Sequence, residues 1–175
     1  MREDVVTPAT ARRLAHEGLT WEPHLGDWCV TLDGAQIGER EVGLWLVVAT
    51  APNQGMLALA DPAGRWPQTP VAARDCLWLP TAGKLKTWLR AQGYRVATGE
   101  APAIASALAY TPFGGASGPL DALNAQGSTL HVCRLTHPAD RNIVIDGEGV
   151  SESEAVAVAM LHLLATRRAA GWAPQ

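Results

Sequence analysis

Charge of either sign is scarce in this chain. Asp, Glu, Lys and Arg supply 18% of its 175 residues, against about a quarter in ordinary globular proteins. Basic side chains number 14 and acidic ones 17, a formal net charge of -3, and no basic run departs from that balance. Neither a phosphate backbone nor an anionic lipid surface attracts such a protein, which sets nucleic acid aside as a partner. Long apolar runs are missing as well. LWLVVA at 44–49 and AVAVAM at 155–160 are far shorter than the roughly 20 residues that cross a bilayer. The opening MREDVVTPAT contains no apolar signal-peptide core. A cytoplasmic protein with no membrane partner is expected.

Cysteine is also sparse. Cys29, Cys76 and Cys133 are odd in number and far apart, matching neither a zinc ribbon nor a redox motif. Reduced, mostly buried thiols are expected, and no cofactor. Phenylalanine occurs once and tyrosine twice, so seven of the ten aromatic residues are tryptophan, a residue that fills cores and is enriched at interfaces. Twelve of the 14 basic residues are arginine; with abundant Ala and Gly this points to the codon usage of a GC-rich bacterial genome. Hydrophobic residues make up 47%, which excludes disorder. The length suits one well-filled core, hence a single domain over 1–175.

Three helices are signalled. Thr7-Pro8 offers a cap and a first-turn proline, with Ala11, Leu14 and Ala15 in helical spacing and Gly18 as a stop. A second helix follows Thr81, with Leu85, Trp88 and Leu89 on one face and Gly93 at the end. The third opens with Ser151 and Glu154 in capping-box spacing and runs through a wide apolar stripe to Arg167 and Arg168. Strands are expected at CVTLDG, GLWLVVAT, GMLALADP, YRVAT, STLHVCRL and NIVID, the second continuously apolar as a central strand is. Polar turns between strands favour antiparallel pairing, giving an α+β fold with a mixed, largely antiparallel sheet flanked by helices. The proline-rich 61–76 is expected as a surface loop or irregular edge. The Ala/Gly-rich 100–127 is expected as an insertion with short helices near 103–109 and 120–125, or as a flap over a small-molecule pocket. TPATARRLAHEGLTW and LPTAGKLKTWLRAQGYRV hint at a duplicated αβ unit.

The segment TLHVCRLTH carries the densest chemistry. On a strand, His131 and Cys133 share a face about 6 to 7 Å apart, with His137 able to curl back from the turn. One reading is a zinc site, or a thiol with a histidine base, built from His131, Cys133 and His137; a tetrahedral metal would need a further ligand, from the region of His24, Asp27 and Cys29. The other is a half-buried strand face and a turn residue, since no recognised ligand spacing is present. Around Ser117, FGGASGP has Pro119 where a nucleophile elbow has glycine, and lacks the lysine of a phosphate loop. Asp27-Trp28 reads either as a sugar or base platform or as core-edge packing, and DGEG at 146–149 as a turn into the Ser151 cap.

LWLPTAGKLKTWLRAQGYRV and GEGVSESEAVAVAMLHLL together resemble a pattern of uncharacterised small bacterial and phage proteins. In that pattern an apolar residue and proline precede a helix ending in Gly-aromatic, and the closing helix carries Glu-Ala before an apolar run. The resemblance spans 77–96 and 148–164, about a fifth of the chain. It implies an α/β sandwich and brings no activity, substrate or catalytic residue. The functional expectation is therefore a non-catalytic binding or protein-interaction domain, a homodimer among the options, using exposed tryptophans such as Trp66 in its proline-rich loop and Trp172 near the end. The alternative is a small metal-dependent or thiol enzyme using His131, Cys133 and His137.

Overall fold

The last helix dictates the architecture. Helix α3 (Glu152–Ala169) buries Ala155, Val156, Ala157, Ala159, Met160, Leu161 and Leu163, an apolar surface that wraps most of its girth over the first three turns. Such a helix needs cover on more than one side. The computed structural model describes residues 4–32, 43–51, 54–64, 70–102 and 129–171, and within them the cover comes from two further helices and two sheets. Helix α1 (Pro8–His16) and helix α2 (Ala82–Ala91) are capped by Thr7 and Thr81, whose side chains accept from Thr10 N and Lys84 N. Gly18 and Gly93 then turn the chain with positive φ. All three helices lie where the sequence predicts them.

Strands β1 (Trp28–Thr31), β2 (Leu44–Ala51), β3 (Met56–Ala60), β4 (Val71–Ala72) and β5 (Cys76–Trp78) form a five-stranded sheet ordered β4-β3-β2-β1-β5. Strands β6 (Arg95–Pro102), β7 (Thr129–His137) and β8 (Asp140–Gly149) form a second sheet, β6-β7-β8. Every pairing between these strands is antiparallel. The α+β class is the one expected, but the strands divide into two sheets and no parallel pair occurs among the described residues. Continuously apolar β2 is the centre of five, as its composition predicts.

Val30 and Leu77 from the first sheet, Cys133 and Leu135 from the second, and all three helices contribute to one buried cluster. The other face of the large sheet carries a smaller one of Cys29, Trp45, Val47, Leu57, Leu59 and Cys76, closed by Trp21.

The described part of 61–76 forms an irregular edge, one of the two forms expected of it, with edge strand β4, the 3-10 turn Ala73–Asp75 and the first residue of β5; edge strands this short bury too little to show a period of two. Other expectations are corrected. The DGEG segment continues β8 as far as Gly149 and is not a turn. The duplicated unit is absent: Arg95 opens a strand soon after α2, whereas Trp21 after α1 lies in a loop. Trp66, Trp172, the helices expected near 103–109 and 120–125, and the glycine segment 114–118 lie outside the described residues.

Two ion pairs tie strands and helices at the surface. Glu152 on α3 accepts from Lys86 on α2 and from Thr98 Oγ1 on β6 at 2.7 Å, and these partners, Lys86 first, hold its carboxyl below the usual carboxylate range. Arg134 does the same for Asp146 across β7 and β8. A depressed folded-state pKa stabilises above the unfolded value and is lost as pH falls through the folded one. Urea midpoints are therefore expected to drop on acidification from roughly pH 5 to pH 3. In Lys86→Met that slope is expected to be shallower; an unchanged slope would show that the Glu152 pair contributes nothing to it.

Candidate functional site

Strand β7 places His131, Cys133 and His137 on the face that meets the helices, but the three do not form a working set. Cys133 is 1% exposed beneath α3, and its thiol is pushed up to about 11, chiefly by burial, with Lys86 pulling the other way. A thiol so raised stays protonated at neutral pH and is a poor nucleophile or metal ligand. His131 lies opposite Gly149, close enough to Glu152 to help hold that carboxyl ionised. The His137 ring stands edge-on to Tyr94 at 5.0 Å and packs over Gly93, where a Cβ would meet its Nε2 at 3.3 Å. Among the described residues no group of three His, Cys, Asp or Glu side chains is placed to hold a metal ion. One strand face puts the residues side by side; packing against separate neighbours sends their functional atoms elsewhere.

Asp27 points inward, 2% exposed, and does not furnish a platform. Its Oδ2 accepts from Trp21 Nε1 at 3.0 Å and from His24 N at 2.8 Å, while Oδ1 lies 3.1 Å from Lys84 Nζ at the start of α2. The loop is sewn to β2 by Gly26 N to Val47 O and Val47 N to Asp27 O. Trp21 thereby stacks parallel to Trp78 at 6.4 Å, and Trp28 packs at the edge of the main core. Asp27 thus joins the 20–27 loop to the large sheet and to α2. Replacing it by alanine leaves Trp21 Nε1 and His24 N without their acceptor and is expected to cost about 2 kcal/mol. Asp27→Asn, which keeps one acceptor oxygen, should cost less. Equal losses in urea unfolding would mean that charge toward Lys84, not acceptance from Trp21 and His24, is what matters.

A different surface offers recognition chemistry. Between α1 and the C-terminal half of α3 runs a groove of about 500 Å³ lined by Arg12, Arg13, His16, Glu17, Leu161, His162 and Ala165. Its apolar contribution is Leu161 with Ala165. Glu17 is the one acid, and it is engaged: Arg168 Nη2 lies 2.7 Å from its Oε2 and His16 Nδ1 3.6 Å from its Oε1. The Asp146 carbonyl lies 3.0 Å from His162 Nδ1; a carbonyl only accepts, so Nδ1 carries a hydrogen. Arg12 and Arg13 are exposed and have no acidic partner among the described residues. Two unneutralised guanidiniums beside an apolar floor suit a carboxylate carried on an aliphatic stem.

Sequence reading missed this groove. ATARRLAH shows two arginines on the open side of α1, yet nothing in spacing links positions 12 and 13 to 161 and 162; only the α1–α3 contact does. Comparison with family models, with curated proteins and with solved structures finds no match.

Proposed function

We propose that this protein is a non-catalytic binding domain whose α1–α3 groove takes an acidic segment of a cytoplasmic protein partner. The observation that carries the reading is the pair Arg12 and Arg13, exposed and without an acidic partner among the described residues, in a groove whose one acid, Glu17, is engaged by Arg168 and His16. Charge complementarity selects the occupant: a Glu- or Asp-bearing peptide satisfies both guanidiniums while its aliphatic carbons lie against the exposed Ala165. The chain as a whole carries -3, so long-range steering does not favour an acidic partner, and the attraction is confined to about a Debye length of the groove. Binding is accordingly expected to be modest and salt-sensitive. Enzymatic use of His131, Cys133 and His137 has no comparable support, because Cys133 is sealed and protonated.

Fluorescence anisotropy with a labelled peptide of alternating Glu and Leu, set against its Lys-Leu counterpart, tests the reading. The Glu peptide should bind, and Arg12→Glu with Arg13→Glu should weaken it about tenfold or more, roughly 1.4 kcal/mol, with the thermal midpoint unchanged. Equal affinity for both peptides, or no effect of the double reversal, would overturn it. Competition by free glutamate as strong as by the peptide would instead make the site one for small anions.

A further inference from the structure

All three cysteines are unpaired and buried, and two of them meet. Cys29 lies on β1 and Cys76 opens β5, in a ladder that sets Cys29 opposite Trp78 and Thr31 opposite Cys76. Opposed residues share a face, as do residues two apart on one strand. Cys29 and Cys76 are therefore diagonal neighbours on the same face, near enough for each thiol to act on the other's ionisation. Both belong to the smaller apolar cluster.

Their settings differ. Cys29 is fully enclosed, with Trp45 and Trp78 opposite it on the flanking strands. Its thiol is pushed up by the neighbouring Cys76 first, then by burial and by the charge of Asp27. Cys76, 7% exposed, sits on the edge strand, and the neighbouring Cys29 pulls its thiol below the ordinary value against burial. Thiolate is the reactive form of cysteine. The more reactive sulfur is thus the one at the sheet edge, and the protonated thiol stands behind it.

We propose that Cys29 and Cys76 form a reversible dithiol–disulfide pair, in which a hydroperoxide oxidises Cys76 and Cys29 resolves it. The Cys76 sulfur attacks the terminal peroxide oxygen, the O–O bond breaks, and the leaving oxygen takes the proton Cys76 has shed, giving an alcohol (water, for hydrogen peroxide) and a sulfenic acid. The Cys29 sulfur then attacks the sulfenic sulfur; the S–S bond forms, and the departing hydroxyl leaves as water with the Cys29 proton. Two thiols lose two electrons and two protons, and the peroxide gains them.

The ladder explains why such a bond is reversible. Diagonal neighbours stand wider apart than opposed ones, so closing a disulfide draws β5 toward β1. β5 is three residues long and has β1 as its sole strand neighbour among the described residues, so it can shift without breaking a second ladder. A bridge closed under strain is more easily reduced than a relaxed one. Cys133, on the other sheet, has no such partner.

The test treats the folded wild-type protein with hydrogen peroxide, alkylates it with N-ethylmaleimide under denaturing conditions, and maps the peptides by mass spectrometry. Expected is a peptide linking Cys29 to Cys76, lighter by two hydrogens than the reduced pair and restored by dithiothreitol, with Cys133 alkylated. In Cys29→Ser the Cys76 sulfenic acid should persist and be trapped by dimedone. Full alkylation of Cys29 and Cys76 after peroxide, a link through Cys133, or dimedone on Cys29 in place of Cys76 would overturn the proposal. The wild-type link is read without any substitution, so a variant that does not fold leaves the test decisive.

Discussion

Gly147→Ala is expected to cost more than about 3 kcal/mol, enough to unfold a protein of ordinary marginal stability in part or altogether. A Cβ at Gly147 would fall 2.3 Å from Ala159 N, 2.4 Å from Ala155 O and 2.8 Å from Ala159 Cα. All three are backbone atoms of α3. Overpacking typically costs about 1–3 kcal/mol where side chains can swing aside; a helix backbone cannot, so β8 must lift off α3. That would open the layer over Cys133, which pairs with Gly147 on β7, and over Leu135. Gly149 repeats the arrangement one pleat on, its Cβ position lying 2.6 Å from Ala155 N. The two glycines and the two alanines at 155 and 159 together let strand and helix backbones touch. Gly99→Ala on β6 is the control, because its nearest neighbour is Val132 Cγ2 at 4.0 Å. Urea unfolding should show a large loss for Gly147→Ala and almost none for Gly99→Ala; similar losses would mean that generic strand effects, not backbone contact, set the cost.

Glu154→Ala is expected to rank next, at about 3 kcal/mol. Thr7 N donates to Glu154 Oε1, and Thr10 Oγ1 donates to Oε2 at 2.8 Å, so one buried carboxylate closes the first turn of α1, 144 or more residues away in sequence. Removing it strips the acceptor from two donors, each costing about 1–3 kcal/mol when left unmet in a buried place, and takes a negative charge from the positive end of α1. The neighbouring Ser153 reinforces the junction, accepting from Ala82 N at 2.7 Å at the start of α2 and donating to Asp4 O at 2.7 Å. All three helix N-termini therefore converge on 151–154. Glu154→Gln, which keeps one acceptor oxygen, should lose about half as much. Hydrogen exchange should accelerate most at Thr10 and Ala11; acceleration spread evenly over the chain would argue for general loosening in place of a broken cap.

The same residue shows where sequence reading stops. Ser151 and Glu154 stand in capping-box spacing, and the Ser151 half is present, its Oγ accepting from Glu154 N at 3.3 Å. The Glu154 half is not turned back on its own helix: its carboxylate reaches α1, because Thr7 and Thr10 lie within range and bury it. The glycines of DGEG suggest a turn, since glycine permits positive φ, yet neither Gly147 nor Gly149 has it. They are glycine for want of room. Of the candidate site, the shared face of His131 and Cys133 follows from strand periodicity alone, whereas the sealing of Cys133 and the side contact of His137 with Tyr94 depend on α3 and on the turn after α2.

Local signals determined the helices, the central place of β2 and the α+β class, because caps, stops and apolar periods act within a turn or two of chain. Tertiary structure alone decided that the strands split into two sheets about α3, that Cys29 meets Cys76, that Asp27 turns inward to Lys84, and that Arg12 and Arg13 share a groove with Leu161. Each of these joins residues distant in sequence, and their proximity depends on which faces bury against which, a choice made by the whole core at once.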